Sequence, residues 1–187
     1  MTDMYNMTDD IGEILLTEKE IDATVERIAA EIDHDYRYSP RKLLLLAVLK
    51  GSVVFMGDLM KKIKRPVEID FMRVSSYTGT ETRGKVDILL DLHRDDLHVT
   101  DILIVEDIID SGKTLAYLKN YLKFKGANSV RCAAMLDKPS RRKVNFEADY
   151  VGMTIPDSFV VGYGLDYDEK YRNLPFIGIL KPEIYTN

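Results

Sequence analysis

Residues 102–114 read ILIVEDIIDSGKT, and this stretch decides the expected fold. An apolar run of strand length leads to three carboxylates, Glu106, Asp107 and Asp110. A Ser-Gly-Lys-Thr loop at 111–114 follows, and an amphipathic segment of helical length comes after it. A strand, a polar turn and a helix in this order are typical of α/β proteins. Ligands of such proteins bind beyond the carboxyl ends of the strands.

The loop after this strand predicts an anion site. Its four residues are Ser111, Gly112, Lys113 and Thr114. At the start of a helix, unpaired backbone N–H groups and the positive end of the helix dipole converge on an anion. The glycine permits close backbone approach, and the two hydroxyls add donors. The loop is not a Walker A motif, because that motif needs a glycine at position 107, where an aspartate stands.

A structural role is the alternative for these residues. Asp110 and Ser111 are common helix-capping residues, and Glu106 and Asp107 would then be solvated beside them. Three acids and an anion loop at the end of one strand favour a ligand instead. That ligand must offer phosphate groups together with hydroxyls, a metal ion or a proton. A phosphorylated sugar bound with a divalent cation meets both requirements.

The segment 105–114 resembles the phosphoribosyl-pyrophosphate signature of the type I phosphoribosyltransferases. Four further motifs are similar in order and spacing to those of the hypoxanthine-guanine phosphoribosyltransferases. They are LKGS at 49–52, SSYTG at 75–79, DKP at 137–139 and FVVGY at 159–163, with Asp166 and Arg172 beyond them. The resemblance covers about residues 45–175. It implies the type I phosphoribosyltransferase fold, a parallel-sheet core flanked by helices with a small hood subdomain.

The alternation of strands and helices predicts the same α/β class and a parallel sheet. Thr17 and Glu20 predict a capping box that opens a helix to about Asp35. Other helices are expected at 52–64 and after Thr114, and strands at 43–49, 67–73, 86–90, 102–105, 130–136, 150–155, 159–161 and 176–180. We expect one domain over residues 1–187. Its core lies at about 40–140, and its hood mainly at about 145–187 with the N-terminal segment.

Composition limits the classes of function. The 187 residues are 45% hydrophobic and 30% charged, which suits one globular domain. The net charge of −5 argues against broad nucleic-acid binding, and the basic run at 141–143 is interpreted as solvated surface. No apolar run is long enough to span a bilayer, and the acidic start lacks the layout of a signal peptide. We therefore expect a cytoplasmic protein without nucleic-acid or membrane partners.

The resemblance assigns several residues to pyrophosphate. Lys50 and Gly51 match the family's pyrophosphate-gripping loop, in which a cis peptide bond precedes the lysine. Ser76 and Tyr77 belong to the polar, glycine-punctuated segment 75–85. In the family this segment is a mobile lid that closes over the site and excludes water. Without the resemblance, these segments would be interpreted as an ordinary turn and an exposed hairpin loop.

The resemblance also implies a purine site. Lys138 matches a lysine that donates to the 6-oxo group of a purine, Phe159 offers a flat apolar face, and Val160 offers backbone groups. Asp166 could bind a magnesium ion, which prefers carboxylate and phosphate oxygens, and Arg172 could grip pyrophosphate with its planar fork. From the residues alone, a solvated lysine, core residues and a surface ion pair are the simpler interpretations.

The implied reaction is transfer of the phosphoribosyl group of phosphoribosyl pyrophosphate to N9 of a 6-oxopurine, hypoxanthine or guanine. Asp110 is the expected general base at N7. Glu106 and Asp107 hold the ribose hydroxyls, directly or through water on Mg²⁺, and with Asp166 they form the expected metal side. The products are inosine or guanosine monophosphate and pyrophosphate. The family also implies a homodimer or homotetramer.

Two other kinds of function stay open at this point. Some domains of this type are nucleic-acid-binding regulators. The DNA-binding kind carries a winged helix, for which residues 1–40 offer only one acidic helix, and the RNA-binding kind needs a basic face. A pyrimidine-specific transferase is the nearer enzymatic alternative, and Lys138 and Phe159 argue against it.

Overall fold

The computed structural model describes residues 6–76 and 86–186, and of Ser76 only the backbone. Tyr77 and the rest of the expected lid lie outside the described residues. The described strands are β1 Ile11–Leu16, β2 Lys42–Val48, β3 Glu68–Ser76, β4 Val86–Leu90, β5 Thr100–Ile109, β6 Ser129–Asp137, β7 Tyr150–Thr154, β8 Val160–Val161 and β9 Ile177–Leu180. The α-helices are α1 Glu18–Asp35, α2 Val53–Lys62, α3 Lys113–Phe124 and α4 Pro182–Tyr185.

Six strands form the main sheet in the order β4-β3-β2-β5-β6-β7. All neighbours are parallel except β3 and β4, which pair antiparallel. Helices α1 and α2 pack on one face of this sheet through one buried cluster, and α3 packs on the other face through a second. The predicted α/β fold with a parallel core is therefore confirmed.

A second, three-stranded antiparallel sheet has the order β1-β9-β8 and forms the hood. It combines the segment before α1 with the last strands of the chain, as in β1 Ile14 opposite β9 Gly178. Strand β7 lies within the range expected for the hood, but it pairs in parallel with β6 in the main sheet.

Helix α1 begins where its capping chemistry predicts. The Glu20 N–H donates to Thr17 Oγ1 at 3.3 Å, and the Thr17 N–H donates to Glu20 Oε2 at 2.9 Å. Its buried residues are Ile21, Val25, Ile28, Ala29 and Ile32. They recur every three or four positions, so one face of the helix covers the sheet.

Strand β5 is longer than predicted. It was expected at 102–105 and runs over Thr100–Ile109, because parallel pairing with β6 continues to Ile109 opposite Asp137. Glu106 and Asp107 therefore lie within the strand rather than after it. Both stand at the carboxyl end of the sheet, and Asp107 lines a cavity there.

Candidate active site

The turns after β2, β5 and β6 meet at one edge of the main sheet, because these three strands are parallel neighbours. They carry Lys50–Gly51, Asp110–Gly112 and Lys138, respectively. The Lys138 N–H donates to the Ile109 carbonyl at 2.9 Å and so continues the pairing of β5 with β6 past the strand ends. The sheet order brings together residues that are separated by up to 88 positions in the sequence.

A cavity of about 260 Å³ opens at this edge, between the main sheet and the hood. Six of the predicted site residues line it: Asp107, Asp110, Lys138, Phe159, Val160 and Asp166. Four residues that the sequence did not indicate also line it, namely Ile108, Arg141, Ser158 and Leu165. The lining thus combines charged and polar groups with apolar side chains.

A larger cleft of about 920 Å³ lies between α1, α2 and the segment 172–175. Among the predicted site residues that the structure describes, Arg172 alone lines it. Its lysines and acids pair with one another, as in Lys61–Asp58 at 2.7 Å and Lys62–Asp22 at 2.7 Å. The smaller cavity, with its converging functional groups, is therefore the candidate active site.

Lys138 is buried and points its ammonium group across the cavity wall. Its Nζ donates to the Ser158 carbonyl at 2.7 Å and lies 3.9 Å from Asp110 Oδ1. Burial lowers the pKa of Lys138, although the nearby Asp110 carboxylate opposes that effect. The ammonium retains donor capacity for a ligand atom, because it has three hydrogens and one close acceptor.

Phe159 is 38% exposed and takes part in an aromatic cluster of the hood. Tyr185 of α4 stacks on its ring at a centroid distance of 4.9 Å and an interplanar angle of 23°. Tyr167 meets the same ring edge-on at 5.6 Å and 88°. The two tyrosines hold a Phe159 ring that also lines the cavity, and Val160 beside it is fixed by its pairing with Ile179.

Gly51 and Asp107 are in close contact. A Cβ built on Gly51 would lie 1.6 Å from Oδ2 of Asp107, so any other residue would displace the carboxylate. The Leu49–Lys50 peptide bond is cis, as the resemblance implies. Gly164 also packs on this loop, since a Cβ there would lie 2.0 Å from the Gly51 carbonyl oxygen.

Glu106 and Asp107 are held away from water. Burial raises the pKa of Asp107 to about 6. Burial and the neighbouring Asp107 charge raise the pKa of Glu106 well above its ordinary value. Among the described residues, the buried Oε2 atom of Glu106 has no hydrogen-bond partner. Asp107 lines the cavity and Glu106 does not, because successive side chains of a strand point to opposite faces of the sheet. Asp107 is therefore suited to receive hydroxyl donors or a cation, either of which would restore its lost solvation.

Lys50 and Arg172 are linked by Glu169, which the sequence did not single out. Lys50 Nζ lies 2.9 Å from Glu169 Oε1, and Arg172 Nη2 lies 3.3 Å from Glu169 Oε2. The same nitrogen of Arg172 lies 2.8 Å from Asp166 Oδ1. The simpler interpretation of Asp166 and Arg172 as an ion pair is therefore correct for this structure. An anion entering here would compete with these carboxylates for both cations.

The predicted anion loop stands between β5 and α3. Gly112 has φ +75° and precedes the first helical residue, Lys113. Within the part of the chain that the structure describes, no side chain caps this helix end. The Lys113 N–H makes a long contact to Ser111 Oγ, at 3.4 Å. The first N–H groups of an α-helix lack intrahelical partners, so this end is suited to bind phosphate.

The interpretation of the run 141–143 as solvated surface is wrong for Arg142. Its side chain is only 16% exposed and forms an ion pair with Asp137. Its Nη1 donates to the Asp110 carbonyl at 2.5 Å. The residue packs against the anion loop from behind, where a Cβ on Gly112 would lie 2.9 Å from Arg142 Cδ. Spacing along the sequence carries no signal for this contact.

Glu106, Asp107 and Asp166 are the residues predicted to bind magnesium. Across 6–76 and 86–186, no three His, Cys, Asp or Glu side chains converge as a metal-binding cluster. Mg²⁺ is usually bound by one or two carboxylates together with substrate phosphates and water. Asp107 and Asp166 both line the cavity and fit that mode of binding, whereas Glu106 does not line it. Separately, no helix within these ranges is long and apolar enough to cross a membrane.

A parallel sheet whose carboxyl edge joins an acidic strand end to an anion loop, under an antiparallel hood, is typical of α/β proteins that bind phosphorylated ligands. The model of the phosphoribosyl transferase domain family matches residues 12–168, and the chain belongs to this family. Family membership, the fold and the assignment as a phosphoribosyltransferase, predicted from the motifs, are thus confirmed.

Known relatives agree with this assignment. The hypoxanthine-guanine phosphoribosyltransferase of Staphylococcus aureus (strain Mu50) is 49% identical over 97% of this chain and 100% of its own length. A crystal structure of a hypoxanthine phosphoribosyltransferase from S. aureus superposes with a TM-score of 0.91, at 48% identity and 97% coverage of both chains. The bifunctional protein TilS/HprT of Listeria monocytogenes serotype 4b (strain F2365) is 48% identical over 97% of this chain, which spans 28% of that relative's length.

Proposed function

We propose that this chain transfers the phosphoribosyl group of phosphoribosyl pyrophosphate to N9 of a 6-oxopurine, hypoxanthine or guanine, and so serves purine salvage. The observation that carries the proposal is the joint placement of Asp110, Lys138 and Phe159 around one cavity. These side chains supply a proton acceptor, a donor for an exocyclic oxygen and a flat apolar face. A planar oxopurine requires all three.

The purine end of the site recognises the base by hydrogen bonding. The Lys138 ammonium donates to the 6-oxo group, and the stacked Phe159 ring positions the base. A 6-aminopurine presents a donor instead of an acceptor to this ammonium, so one of its buried N–H groups is left without a partner, which is costly. A pyrimidine leaves part of the Phe159 face uncovered. Oxopurines are therefore preferred over both.

The sugar end of the site holds the phosphoribosyl donor. Ser111, Gly112, Lys113 and Thr114 bind the 5-phosphate, and Glu106 and Asp107 accept hydrogen bonds from the ribose hydroxyls. These carboxylates also favour the positive charge that develops on the ring as pyrophosphate leaves. Asp110 accepts the proton from N7 while N9 attacks the ribose.

The pyrophosphate end of the site offers two cations, Lys50 and Arg172. When pyrophosphate binds, they exchange their ion pairs with Glu169 and Asp166 for the phosphate oxygens, and the backbone of Gly51 approaches the pyrophosphate closely. Ser76 and Tyr77 are proposed to reach it from the lid. When bound, magnesium supplies further positive charge to the pyrophosphate, and Glu106, Asp107 and Asp166 are the residues that would hold it. Assembly as a homodimer or homotetramer and a cytoplasmic location remain predictions.

The direct test is an assay of nucleotide formation from phosphoribosyl pyrophosphate and magnesium with hypoxanthine, guanine, xanthine, adenine or uracil as acceptor. Rapid formation of inosine or guanosine monophosphate, with adenine and uracil inert, is expected. Preference for adenine or uracil would contradict the purine assignment. A nucleic-acid mobility shift at moderate salt tests the regulatory alternative, and no shift is expected.

A further inference from the structure

The segment that follows β6 packs against the anion loop. Arg142 stands immediately after the short 3-10 helix Pro139–Arg141 and turns its largely buried side chain towards the loop. One arm of its guanidinium donates to the Asp110 carbonyl oxygen at 2.5 Å, and the other forms the ion pair with Asp137. Arg142 therefore ties the last residue of β6 to the peptide that enters the anion loop.

The next residue makes a parallel contact. The backbone N–H of Lys143 donates to the Ser111 carbonyl oxygen at 2.9 Å. Two consecutive carbonyl groups of the turn, those of Asp110 and Ser111, thus point towards 142–143. The side chains of Arg142 and Phe146 fill the same side of Gly112, where a Cβ would lie 2.9 Å and 3.3 Å from their atoms.

These contacts determine where the amides of the loop point. A trans peptide is planar, and its C=O and N–H point in opposite directions. When the carbonyl oxygens of Asp110 and Ser111 are fixed towards the 142–143 segment, the N–H groups of Ser111 and Gly112 must face away from it. Helix α3 follows directly, and the N–H groups of its first turn also lack intrahelical partners.

We propose that Arg142 is a positioning residue for phosphate recognition, because its bond to the Asp110 carbonyl and its ion pair with Asp137 orient the amides of the 111–114 loop towards the 5-phosphate. The inference rests on the proposed function, since it assigns the loop to the phosphate of a nucleotide. Arg142 packs on the side of the loop opposite the proposed phosphate position, so it acts by orienting the loop. The guanidinium suits this role because its planar fork donates in two directions at once.

The test compares a nucleotide with its nucleoside, because their difference isolates the phosphate. Dissociation constants for inosine 5′-monophosphate and inosine are measured by calorimetry for the wild type, Arg142→Met and Arg142→Lys. Methionine keeps much of the side-chain volume and removes every donor. Loss of one charge-assisted hydrogen bond is expected to reduce the preference for the nucleotide about 10-fold, with inosine binding unchanged.

Arg65→Met is the matched control. Arg65 also donates to backbone carbonyls, those of Tyr36 at 2.5 Å and Arg41 at 2.9 Å, but at the junction of α1 and β2. It is expected to lower the melting temperature without altering the ratio of the two dissociation constants. A merely structural role of Arg142 would give the same result.

Each outcome decides one question. An unchanged ratio in Arg142→Met overturns the positioning role, and so does an equal weakening of both ligands. If the methionine variant does not fold, Arg142→Lys decides, since one ammonium cannot reproduce the fork; an unchanged ratio there also overturns the role. If the wild type binds neither ligand and forms no nucleotide, the proposed function fails instead.

Discussion

Lys138 Nζ lies 3.9 Å from Asp110 Oδ1, although 27 other residues separate the two in the chain. The distance follows from the parallel pairing of β5 with β6, which places the residue after each strand at the same edge of the sheet. The cation that we propose to recognise the 6-oxo group of the purine and the carboxylate that we propose to accept the N7 proton therefore lie side by side. Their functions are separable by mutation.

Replacing Asp110 by asparagine removes the proton acceptor and keeps its shape. Turnover is expected to fall by roughly 10²- to 10⁴-fold, the usual contribution of a general base, while phosphoribosyl pyrophosphate binds with nearly unchanged affinity. Steady-state kinetics and calorimetry check the two parts. Asp95→Asn, an exposed change in the loop before β5, serves as the control. Unchanged turnover in Asp110→Asn would remove this residue from the base role.

Replacing Lys138 by alanine removes the donor to the 6-oxo group. We expect kcat/KM for hypoxanthine to fall on the order of 10²-fold, because a buried oxygen of the base loses its partner. The KM for phosphoribosyl pyrophosphate should change little. Lys123→Ala on the exposed side of α3 is the control. If Lys138→Ala and the control variant have the same kcat/KM for hypoxanthine, Lys138 does not recognise the purine.

Adding a methyl group at Gly51 must move Asp107, since the new Cβ would lie 1.6 Å from its Oδ2. A displacement of this size at a reacting site costs about 10²-fold in rate, and we expect that loss in kcat/KM for phosphoribosyl pyrophosphate. Gly57→Ala is a matched control within α2, where a Cβ meets no atom within 4 Å. It should retain activity and stabilise the helix by up to about 1 kcal/mol. Equal activity of the two variants would contradict the steric argument.

Removing Tyr185 should loosen the Phe159 ring that it stacks on. An aromatic pair contributes about 0.5–1.5 kcal/mol, so Tyr185→Ala is expected to raise the KM for hypoxanthine roughly 2- to 10-fold, with kcat less affected. Tyr38→Ala, at a residue that is 88% exposed, is the control. A purine KM that stays at the wild-type value would show that Phe159 does not need this support.

Asp101, at the start of β5, predicts a pH dependence of stability away from the active site. Burial disfavours its charge, but hydrogen bonds from Ser129, Asn128 and Ser39 outweigh burial and lower its pKa below the ordinary 3.8. The unfolded state therefore binds more protons than the folded state as the pH falls through this region. The stabilisation is complete above the unfolded pKa and is lost as the pH falls through the folded value.

Asp101→Asn mimics the protonated form. It is expected to lower the free energy of unfolding by about 1–3 kcal/mol near neutral pH. The difference in unfolding free energy between the wild type and the variant should become smaller as the pH falls below about 4. Denaturant unfolding of both proteins across this range provides the measurement. A difference independent of pH would mean that the carboxylate charge does not contribute.

The local elements could be predicted because their causes are local. The capping pair Thr17 and Glu20 is close in sequence, and so is the loop that joins β5 to α3. The end of β5 could not be predicted from polarity, because its last four residues are held by β6 rather than by their own composition. The motif residues Asp110, Lys138 and Phe159 were identified through a resemblance, and the fold brings them to one cavity.

The sequence by itself determined the strands of the main sheet, the helices α1 to α3 and the chemical groups that they carry, since helix caps, apolar periods and glycine turns act over a few residues; strand β1 and helix α4 were not predicted. Only the tertiary structure decided that Glu169 bridges Lys50 and Arg172, that Asp107 fills the space beside Gly51, and that Arg142 holds the Asp110 carbonyl. Those contacts join distant parts of the chain. They depend on the order of parallel strands and the paths of the turns between them, which no short stretch of sequence encodes.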